Sequence, residues 1–209
     1  MEVTLNMEKK LGLRERKKIQ THNDIIKNAW ELFNEKGFDK VKVAEIADMA
    51  NISIKTLFTY FNSKEDIVFA GEDELINKII YSFKNRKDKE SLIEVEKKLI
   101  SKLIKDEEDI VKLEENSLIK MISNTPSIKS RLLLMWKNYE DKLADALKKD
   151  TRINLSDVKS EIIAITLIAP FRLLFDLMIE KEEKLTKENI ENKLNDLFFI
   201  IEKGISDIK

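Results

Sequence analysis

Residues 41–66 read VKVAEIADMANISIKTLFTYFNSKED, and the rest of the chain is best understood outward from this stretch. Two sets of apolar side chains recur there at helical spacing: Val43, Ile46, Ala47 and Ala50, then Ile54, Leu57, Phe58 and Phe61. Between the two sets, Asn51 tolerates a left-handed backbone and Ser53 is a good helix N-cap. The stretch therefore predicts two short amphipathic helices, over residues 42–50 and 53–61, with both apolar sets facing inward.

The segments on either side continue the helical pattern. A first helix over residues 14–36 ends at Gly37, which can adopt the positive φ of a C-cap. Ser63 is a good N-cap for a fourth helix, which the pattern extends to residue 84. Further helices are predicted near residues 90–105, 107–123, 127–149, 155–181 and 187–207. The chain is therefore expected to be all-α, with about nine helices.

Composition supports this class and excludes several kinds of chemistry. Charged residues make up 37% of the chain, with only four glycines and two prolines among 209 residues. The absence of cysteine rules out disulfides and thiolate zinc sites, and His22 is the one histidine. The four glycines cannot form the common nucleotide-binding loops or a hydrolase nucleophile elbow. We therefore expect no enzyme, no cofactor and no metal site, including at the acidic clusters 107–109 and 114–115.

Charge is distributed unevenly although the formal net charge is only −1. The first twenty residues carry six basic and three acidic side chains, whereas residues 71–209 carry 26 basic and 28 acidic ones. A basic head on an acidic body fits DNA contact at one end, and a flexible, solvated tail is the alternative. The start of the chain has no signal-peptide pattern, and the apolar run 162–171 is too short to span a bilayer. A cytoplasmic protein with no membrane partner is expected.

Two short helices joined by a tight turn are typical of a helix-turn-helix. The second of them has a polar face formed by Lys55, Thr56, Thr59 and Tyr60 beside its apolar face. A helix that reads the major groove needs both, since the inner face fixes it and the outer face reaches bases and phosphates. The pattern alone does not establish DNA binding, because short amphipathic helix pairs are also common in plain packing.

From Ile25 to Phe69 the chain resembles the DNA-binding domain of the TetR family of bacterial transcription regulators. The segments that carry the resemblance are AWELF at 29–33, KGFD at 36–39, VAEIA at 43–47, ISIKTLFTYF at 52–61 and SKED at 63–66. The chain departs from the family pattern at Asn51, where glycine is usual, and at Val41 and Lys42, where threonines are usual. Asparagine adopts the same backbone, and Lys42 can replace a threonine as a phosphate donor.

The resemblance implies a set of DNA contacts on the helix-turn-helix and the elements beside it. Lys55, Thr56 and Thr59 would meet base edges or backbone, and Tyr60 and Lys64 match positions that typically contact phosphates. The full set of expected contacts is Thr21, Lys42, Ser53, Lys55, Thr56, Thr59, Tyr60 and Lys64. Each position also has a structural interpretation, in which Lys64 is simply solvated, Thr56 supports its helix and Tyr60 packs its ring. His22 is expected to be a solvated residue at the edge of the first helix.

The resemblance also implies a division into a DNA-binding domain at residues 1–62, with its motif at about 42–61, and a helical ligand-binding and dimerisation domain at residues 63–209. Large adaptable side chains suited to a ligand pocket are Met121, Met135, Trp136, Tyr139, Phe171, Arg172, Phe175 and Met178. Methionine and aromatic side chains at such positions are more often plain core than pocket. Arg172 follows a buried run, so it either pairs with Asp176 one turn later or meets a ligand.

The last helix and the apolar run before it are apolar on more than one side, which favours burial from two directions. The expected dimer contacts are Phe171, Leu174, Met178, Leu194, Leu197, Phe198, Ile201 and Ile205. One thick monomeric core is the alternative interpretation.

Together these features predict a homodimeric repressor that binds a palindromic double-stranded DNA operator and is released by a small hydrophobic inducer. The alternative is a DNA-binding protein of the same fold whose C-terminal body engages a protein partner. A solvent-filled cavity would favour the first, and a filled core with an exposed apolar patch would favour the second.

Overall fold

The computed structural model of the chain describes residues 12–105, 108, 116–180 and 185–204. These residues form ten α-helices and one 3₁₀ turn, and none of them lies in a strand. They divide into two compact units, with the break between Ala70 and Gly71. The all-α class predicted from the sequence is confirmed.

The N-terminal unit contains four α-helices and the 3₁₀ turn. They are α1 (Leu13–Lys36), the 3₁₀ turn (Phe38–Lys40), α2 (Val43–Met49), α3 (Ile54–Leu57) and α4 (Lys64–Val68). The long helix α1 contacts α2, α4 and the 3₁₀ turn, and its fully buried Ile25 and Ala29 lie in the core with Ile46, Leu57 and Ile67. A single long helix therefore supports the short helices of this unit.

Local sequence signals end and begin these helices as predicted. Gly37 has φ 83° and follows the last turn of α1, and Asn51 has φ 54° in the turn between α2 and α3. The hydroxyl of Ser53 accepts from the backbone N–H of Thr56 at 3.0 Å, and that of Ser63 accepts from Asp66 at 3.1 Å. The predicted caps are confirmed, and together they fix the course of the chain through the motif.

The third helix is shorter than predicted. Regular α-helix spans only Ile54–Leu57, and residues 58–60 continue as a tighter turn in which the Thr59 hydroxyl donates to the carbonyl oxygen of Thr56 at 2.6 Å. The prediction that all four apolar residues face inward is wrong for Ile54 and Phe58, which are 45% and 48% exposed. Ile54 and Phe58 are four residues apart and so lie on one ridge of the helical turn, and Leu57 and Phe61 lie on another. Only the ridge of Leu57 and Phe61 is buried in the core.

The C-terminal unit is a cluster of six described helices. They are α5 (Glu72–Lys84), α6 (Leu92–Leu103), α7 (Ser117–Asn124), α8 (Pro126–Lys148), α9 (Asp157–Glu180) and α10 (Lys187–Lys203). Helix α9 contacts α6, α7, α8 and α10 and so lies at the centre of the unit. The ring of Trp136 meets that of Phe175 edge-on, with centroids 5.2 Å apart, where α8 packs on α9.

Two helix predictions in this part of the chain need correction. The fourth helix, predicted as continuous from 63 to 84, is two helices, because the chain leaves the helical path at Phe69 and Gly71 is a poor helix former. The helix predicted near 107–123 is described only as α7, since residues 109–115 lie outside the described part. The acidic clusters at 107–109 and 114–115 also fall largely outside it.

The unit boundary lies eight residues later than the predicted domain boundary of 62 and 63. Helix α4 packs against α1, with Ile67, Val68 and Phe69 all buried. Its apolar residues therefore complete the core of the N-terminal unit.

By length and composition alone, α9 could cross a membrane, the one described helix for which this holds. The apolar run 162–171 is too short to span a bilayer, but the 24-residue helix that contains it is not too short. Length therefore does not exclude a span, and packing is the better guide. Leu167, Ile168, Phe171 and Leu174 are buried inside the unit, and the core helix of a water-soluble protein meets the same length and composition test.

Candidate functional site

The geometry of the helix-turn-helix is held by hydrogen bonds at the ends of its helices. The Asn28 side chain of α1 donates to the carbonyl oxygen of Met49 at 3.1 Å, which ties down the end of α2. At the start of α2, the carboxylate of Glu45 accepts from the backbone N–H of Lys42 at 2.8 Å and from Lys36 at 2.5 Å. These two bonds hold the pKa of Glu45 below its usual value, and the bond from Lys36 has the larger effect. Helix α2 is thus fixed to α1 at both ends.

The predicted DNA contacts lie at the surface of the N-terminal unit with different exposures. Lys42, Ser53, Lys55 and Thr59 are exposed, whereas Thr21, Thr56, Tyr60 and Lys64 are half-buried. Several hydroxyls already serve the helix itself. Ser53 caps it and lies 2.8 Å from the Thr56 hydroxyl, and Thr59 donates to a backbone oxygen. Lys55 is therefore the side chain of α3 whose charged head is most plainly presented to a partner.

Three of the predicted contacts come together in one surface cleft of about 600 Å³. Thr21 of α1 lies there with Thr59 and Tyr60 from the turn after α3. The rest of the lining comes from the start of α1, as Arg14, Glu15, Lys17 and Lys18. Three cations against one carboxylate give this cleft a positive balance that suits a phosphate backbone. Sequence reasoning did not select these cations individually, although the basic head of the chain was the signal that could have found them.

Lys64 is engaged inside the N-terminal unit. Its ammonium group donates to the carbonyl oxygens of Phe38 at 2.7 Å and Val41 at 3.0 Å, and lies 4.1 Å from the centroid of the Phe38 ring. Two of its three N–H groups are thereby used, which leaves one for a phosphate. Its role as a DNA contact stays a prediction, and its structural role is to clamp the 3₁₀ turn.

His22 is more closely packed than expected for a solvated residue. Its ring stacks on that of Phe61, with centroids 4.9 Å apart, and lies 6.4 Å from the ring of Tyr60. The prediction that His22 is solvated is therefore wrong, because its ring packs from α1 against the end of the helix-turn-helix.

In the C-terminal unit, most residues proposed for a ligand pocket belong to the core. Met135, Trp136, Tyr139, Phe171 and Met178 are buried, and Met121 and Phe175 are half-buried. The Tyr139 hydroxyl donates to the backbone oxygen of Glu72, so its polar end is satisfied within the unit. Burial raises the pKa of Tyr139. These side chains are accounted for by packing.

An apolar cleft of about 470 Å³ lies instead between α5 and α6. Its apolar walls are formed mainly by Leu75, Ile79 and Tyr81 of α5, Leu99 and Leu103 of α6, and Phe171 of α9. Lys78 and Lys102 also line it and are exposed. Phe171 is the one residue shared with the predicted pocket, whose other members do not line this cleft.

Arg172 pairs with a carboxylate other than the predicted Asp176, and its role toward a ligand stays a prediction. Its guanidinium lies 3.7 Å from the carboxylate of Glu140 on α8, while the described ion pairs do not join it to Asp176. Burial raises the pKa of Asp176, and the nearby charge of Arg172 opposes that rise. The arginine thus bridges α8 and α9 across their contact.

The predicted dimer residues are largely internal to the unit. Five are buried, Leu197 and Ile201 are half-buried, and Ile205 lies outside the described residues; the buried five are Phe171, Leu174, Met178, Leu194 and Phe198. The exposed apolar side chains of the same helices are Val158, Ile162 and Ile165 on α9 and Phe199 and Ile200 on α10. The sequence showed correctly that these helices are apolar on more than one side, but most of the residues predicted for the dimer contact are buried within the unit itself.

Comparisons with known proteins agree with the N-terminal geometry. The family described as "Bacterial regulatory proteins, tetR family" matches residues 25–70. The transcriptional regulator TcmR of Streptomyces glaucescens is 38% identical over 56 residues, which are 27% of this chain and 25% of that protein. The transcriptional regulator LuxR of Vibrio harveyi is 31% identical over 67 residues, or 32% of this chain and 31% of that protein. The chain thus matches less than a third of the length of these curated relatives.

Solved structures extend the likeness of the fold along most of the chain. A TetR family repressor from Thermus thermophilus, FadR, covers 90% of this chain with 96% of its own, at a TM-score of 0.51 and 17% identity. A TetR-family regulator from Streptomyces coelicolor covers 88% of this chain with 96% of its own, at a TM-score of 0.52 and 17% identity. The segment 25–70, which contains the helix-turn-helix described above, thus matches the tetR family of bacterial regulatory proteins, and the solved structures show a similar fold along most of the chain.

Proposed function

We propose that this chain is a DNA-binding transcription regulator that works in the cytoplasm. It acts as a regulator and not as an enzyme. The observation that carries the proposal is the joint placement of Tyr60, Thr59 and Thr21 with Arg14, Lys17 and Lys18 in one positive cleft. The exposed Lys55 of α3 adds a further cation to this unit. The cleft would hold the phosphate backbone, and α3 would read base edges in the major groove. The exposed Ile54 and Phe58 add apolar surface for thymine methyl groups.

The regulator acts as a homodimer on a palindromic operator. The support is the exposed apolar stripe Val158, Ile162 and Ile165 on α9, at i, i+4 and i+7, together with Phe199 and Ile200 on the neighbouring α10. Exposed apolar side chains grouped on neighbouring helices in this way support an interaction site. A second copy of the chain is its occupant, since two recognition helices about 34–36 Å apart are needed to read both halves of a palindrome.

Repression is relieved by a small hydrophobic effector. The apolar cleft between α5 and α6 supports this, because its volume of about 470 Å³ lies in the range of small-molecule sites. The effector would favour a dimer geometry with the wrong spacing of recognition helices, which couples two sites through two global states. Engagement of the body by a protein partner is the second candidate, and the exposed Leu133 and Leu134 of α8 are the observation that favours it.

Selection from a pool of random DNA duplexes tests the regulator proposal directly. The full chain should enrich a palindrome whose half-site centres are about one helical turn apart. A Lys55→Ala variant should lose preference at one base pair per half-site, while Lys129→Ala, an exposed lysine of the C-terminal unit, should enrich the same palindrome. If the wild-type chain enriched no common sequence from the pool, the proposal would be contradicted.

A further inference from the structure

Helix α6 carries a carboxyl group in an unusual position. Glu96 is fully buried, at 0% exposure, and neither of its carboxylate oxygens has a hydrogen-bond partner among the described residues. Buried polar groups in folded proteins are almost always paired, and an unpaired one costs free energy. The fold retains a glutamate where its buried neighbours on the helix are apolar, which packing does not explain.

The surroundings of Glu96 keep it neutral. Burial raises its pKa to about 9, so the carboxyl group is protonated at neutral pH. A protonated carboxyl has one donor and two acceptor sites, all of which remain available to a ligand that reaches it.

The position of Glu96 relates it to the apolar cleft. Glu96, Leu99 and Leu103 are spaced i, i+3 and i+7, so they share one face of α6, and the two leucines line the cleft. Residues three apart on a helix have Cβ atoms about 5–6 Å apart. Glu96 therefore stands one helical turn before Leu99 on this face of α6, among the residues of the helix that are buried in the unit. The lysines that line the cleft, Lys78 and Lys102, are exposed.

We propose that Glu96 is the polar anchor of the cleft between α5 and α6, and that the cleft binds an amphiphilic organic cation. The apolar body of the ligand lies against Leu75, Ile79, Leu99 and Phe171, and its basic nitrogen reaches past Leu99 to the carboxylate. When the amine binds as its ammonium ion, the carboxyl proton of Glu96 is released to solvent, and the carboxylate that results pairs with the ammonium group. The pairing removes the free-energy cost of the unpaired buried carboxyl. This inference rests on the proposed function, because it names the chemical class of the effector proposed there.

Three probes with the same twelve-carbon chain separate the chemistry of the head group. Dodecylamine, dodecanol and dodecanoate are titrated into the full chain below their micelle-forming concentrations, with binding measured by calorimetry. Dodecylamine should bind at least tenfold tighter than dodecanoate. Glu96→Gln should weaken dodecylamine at least tenfold and leave dodecanol within threefold, whereas Glu180→Gln, an exposed carboxylate of α9, should leave all three unchanged.

The opposite order of affinities would overturn the proposal, because tight dodecanoate binding would place the head group on Lys78 and Lys102. Equal binding of dodecylamine to the wild type and to Glu96→Gln would also overturn it. The series on the wild-type chain does not depend on any variant folding. Selection of DNA without a probe separates the two claims: a chain that recognises a palindrome but does not bind dodecylamine contradicts only the effector class.

Discussion

The ammonium group of Lys64 donates a 2.7 Å hydrogen bond to the backbone oxygen of Phe38, 26 residues earlier in the chain. It also donates to Val41, so one side chain at the start of α4 fastens the turn that leads into α2. A residue that the family resemblance connects with DNA thus has a second role within the N-terminal unit. It positions α2 and, through α2, the helix that would read DNA.

Replacing Lys64 by alanine should therefore destabilise the N-terminal unit. Hydrogen bonds from a charged donor contribute more than neutral ones, and this variant removes two of them, both partly screened by solvent. We expect the free energy of unfolding to fall by about 1–2 kcal/mol in urea denaturation. Lys55→Ala removes the same charge from an exposed position and should change it by less than about 0.5 kcal/mol. Equal stability of the two variants would contradict the clamp.

A partly buried ion-pair cluster joins the end of α5 to the residues that follow α8. The carboxylate of Asp150 accepts a hydrogen bond from the guanidinium of Arg152 and lies 2.5 Å from that of Arg86. Arg152 also donates to the carbonyl oxygens of Phe83 and Lys84 at the end of α5. Both Arg86 and Asp150 are nearly inaccessible to solvent. Removing the carboxylate leaves the charge of Arg86 without its partner, but solvent reaches Arg152, so Asp150→Asn should cost about 2 kcal/mol. Asp145→Asn, on the exposed side of α8, should cost little.

The same cluster predicts acid sensitivity. Hydrogen bonds from Arg152 first, and then from Arg86, hold the pKa of Asp150 well below its usual value. Its contribution to stability is therefore complete above the unfolded value of about 3.9 and is lost as pH falls toward the folded pKa. As pH is lowered below 4, the melting temperature of the wild type should fall more steeply than that of Asp150→Asn. Parallel curves would contradict this.

Glu96 predicts the opposite dependence. Its pKa is raised by burial to about 9, so the folded state keeps a proton that the unfolded state releases above about pH 4.3. Stability should therefore fall as pH rises from about 5 to 9, by at most about 1.4 kcal/mol per pH unit. Glu96→Leu should remove this slope and be more stable than the wild type at pH 8, measured by urea denaturation. A variant with an unchanged slope would contradict the assignment.

The cations at the start of α1 should act on all DNA sequences alike. Replacing Arg14, Lys17 and Lys18 together by alanine should weaken binding and reduce the slope of log affinity against log salt by as much as about 2.7, or about 0.9 for each phosphate that is no longer neutralised. The matched triple variant with Lys120, Lys129 and Lys193 replaced carries the same charge change in the C-terminal unit. It should keep the wild-type slope in fluorescence anisotropy, and equal slopes for both variants would contradict the role of the cleft.

The exposed stripe on α9 predicts the oligomeric state. Ile162→Glu places a charge on an apolar surface that is 57% exposed in the single chain and would be buried between two copies. Sedimentation velocity should show a dimer for the wild type and a monomer for this variant. Lys159→Glu, beside the stripe on the same helix, should remain dimeric, and a wild-type monomer would contradict the proposed interface.

Short-range signals in the sequence were enough to predict the caps and turns of the N-terminal unit. Gly37, Asn51, Ser53 and Ser63 act on their own turns, so their roles follow from neighbouring residues alone. The division at Gly71 was missed because the apolar pattern continues through residues 69–71 without a break in period.

The candidate sites of the C-terminal unit were harder to predict. Helix α9 is apolar all round, so its sequence cannot tell a buried Phe171 from an exposed Ile165. Glu96 stands among other glutamates and lysines in the sequence, and only the packing of α6 shows that it is buried and unpaired. Which side of a helix is covered depends on its neighbours and not on its own period.

Nuclease footprinting of the purified chain on the DNA that flanks its own gene, repeated at several salt concentrations, tests the central claim most directly. Recognition by α3 of two paired subunits predicts a protected palindrome that persists at physiological salt. Protection that disappears evenly with salt and favours no site would mean backbone binding only, and would contradict a sequence-specific regulator.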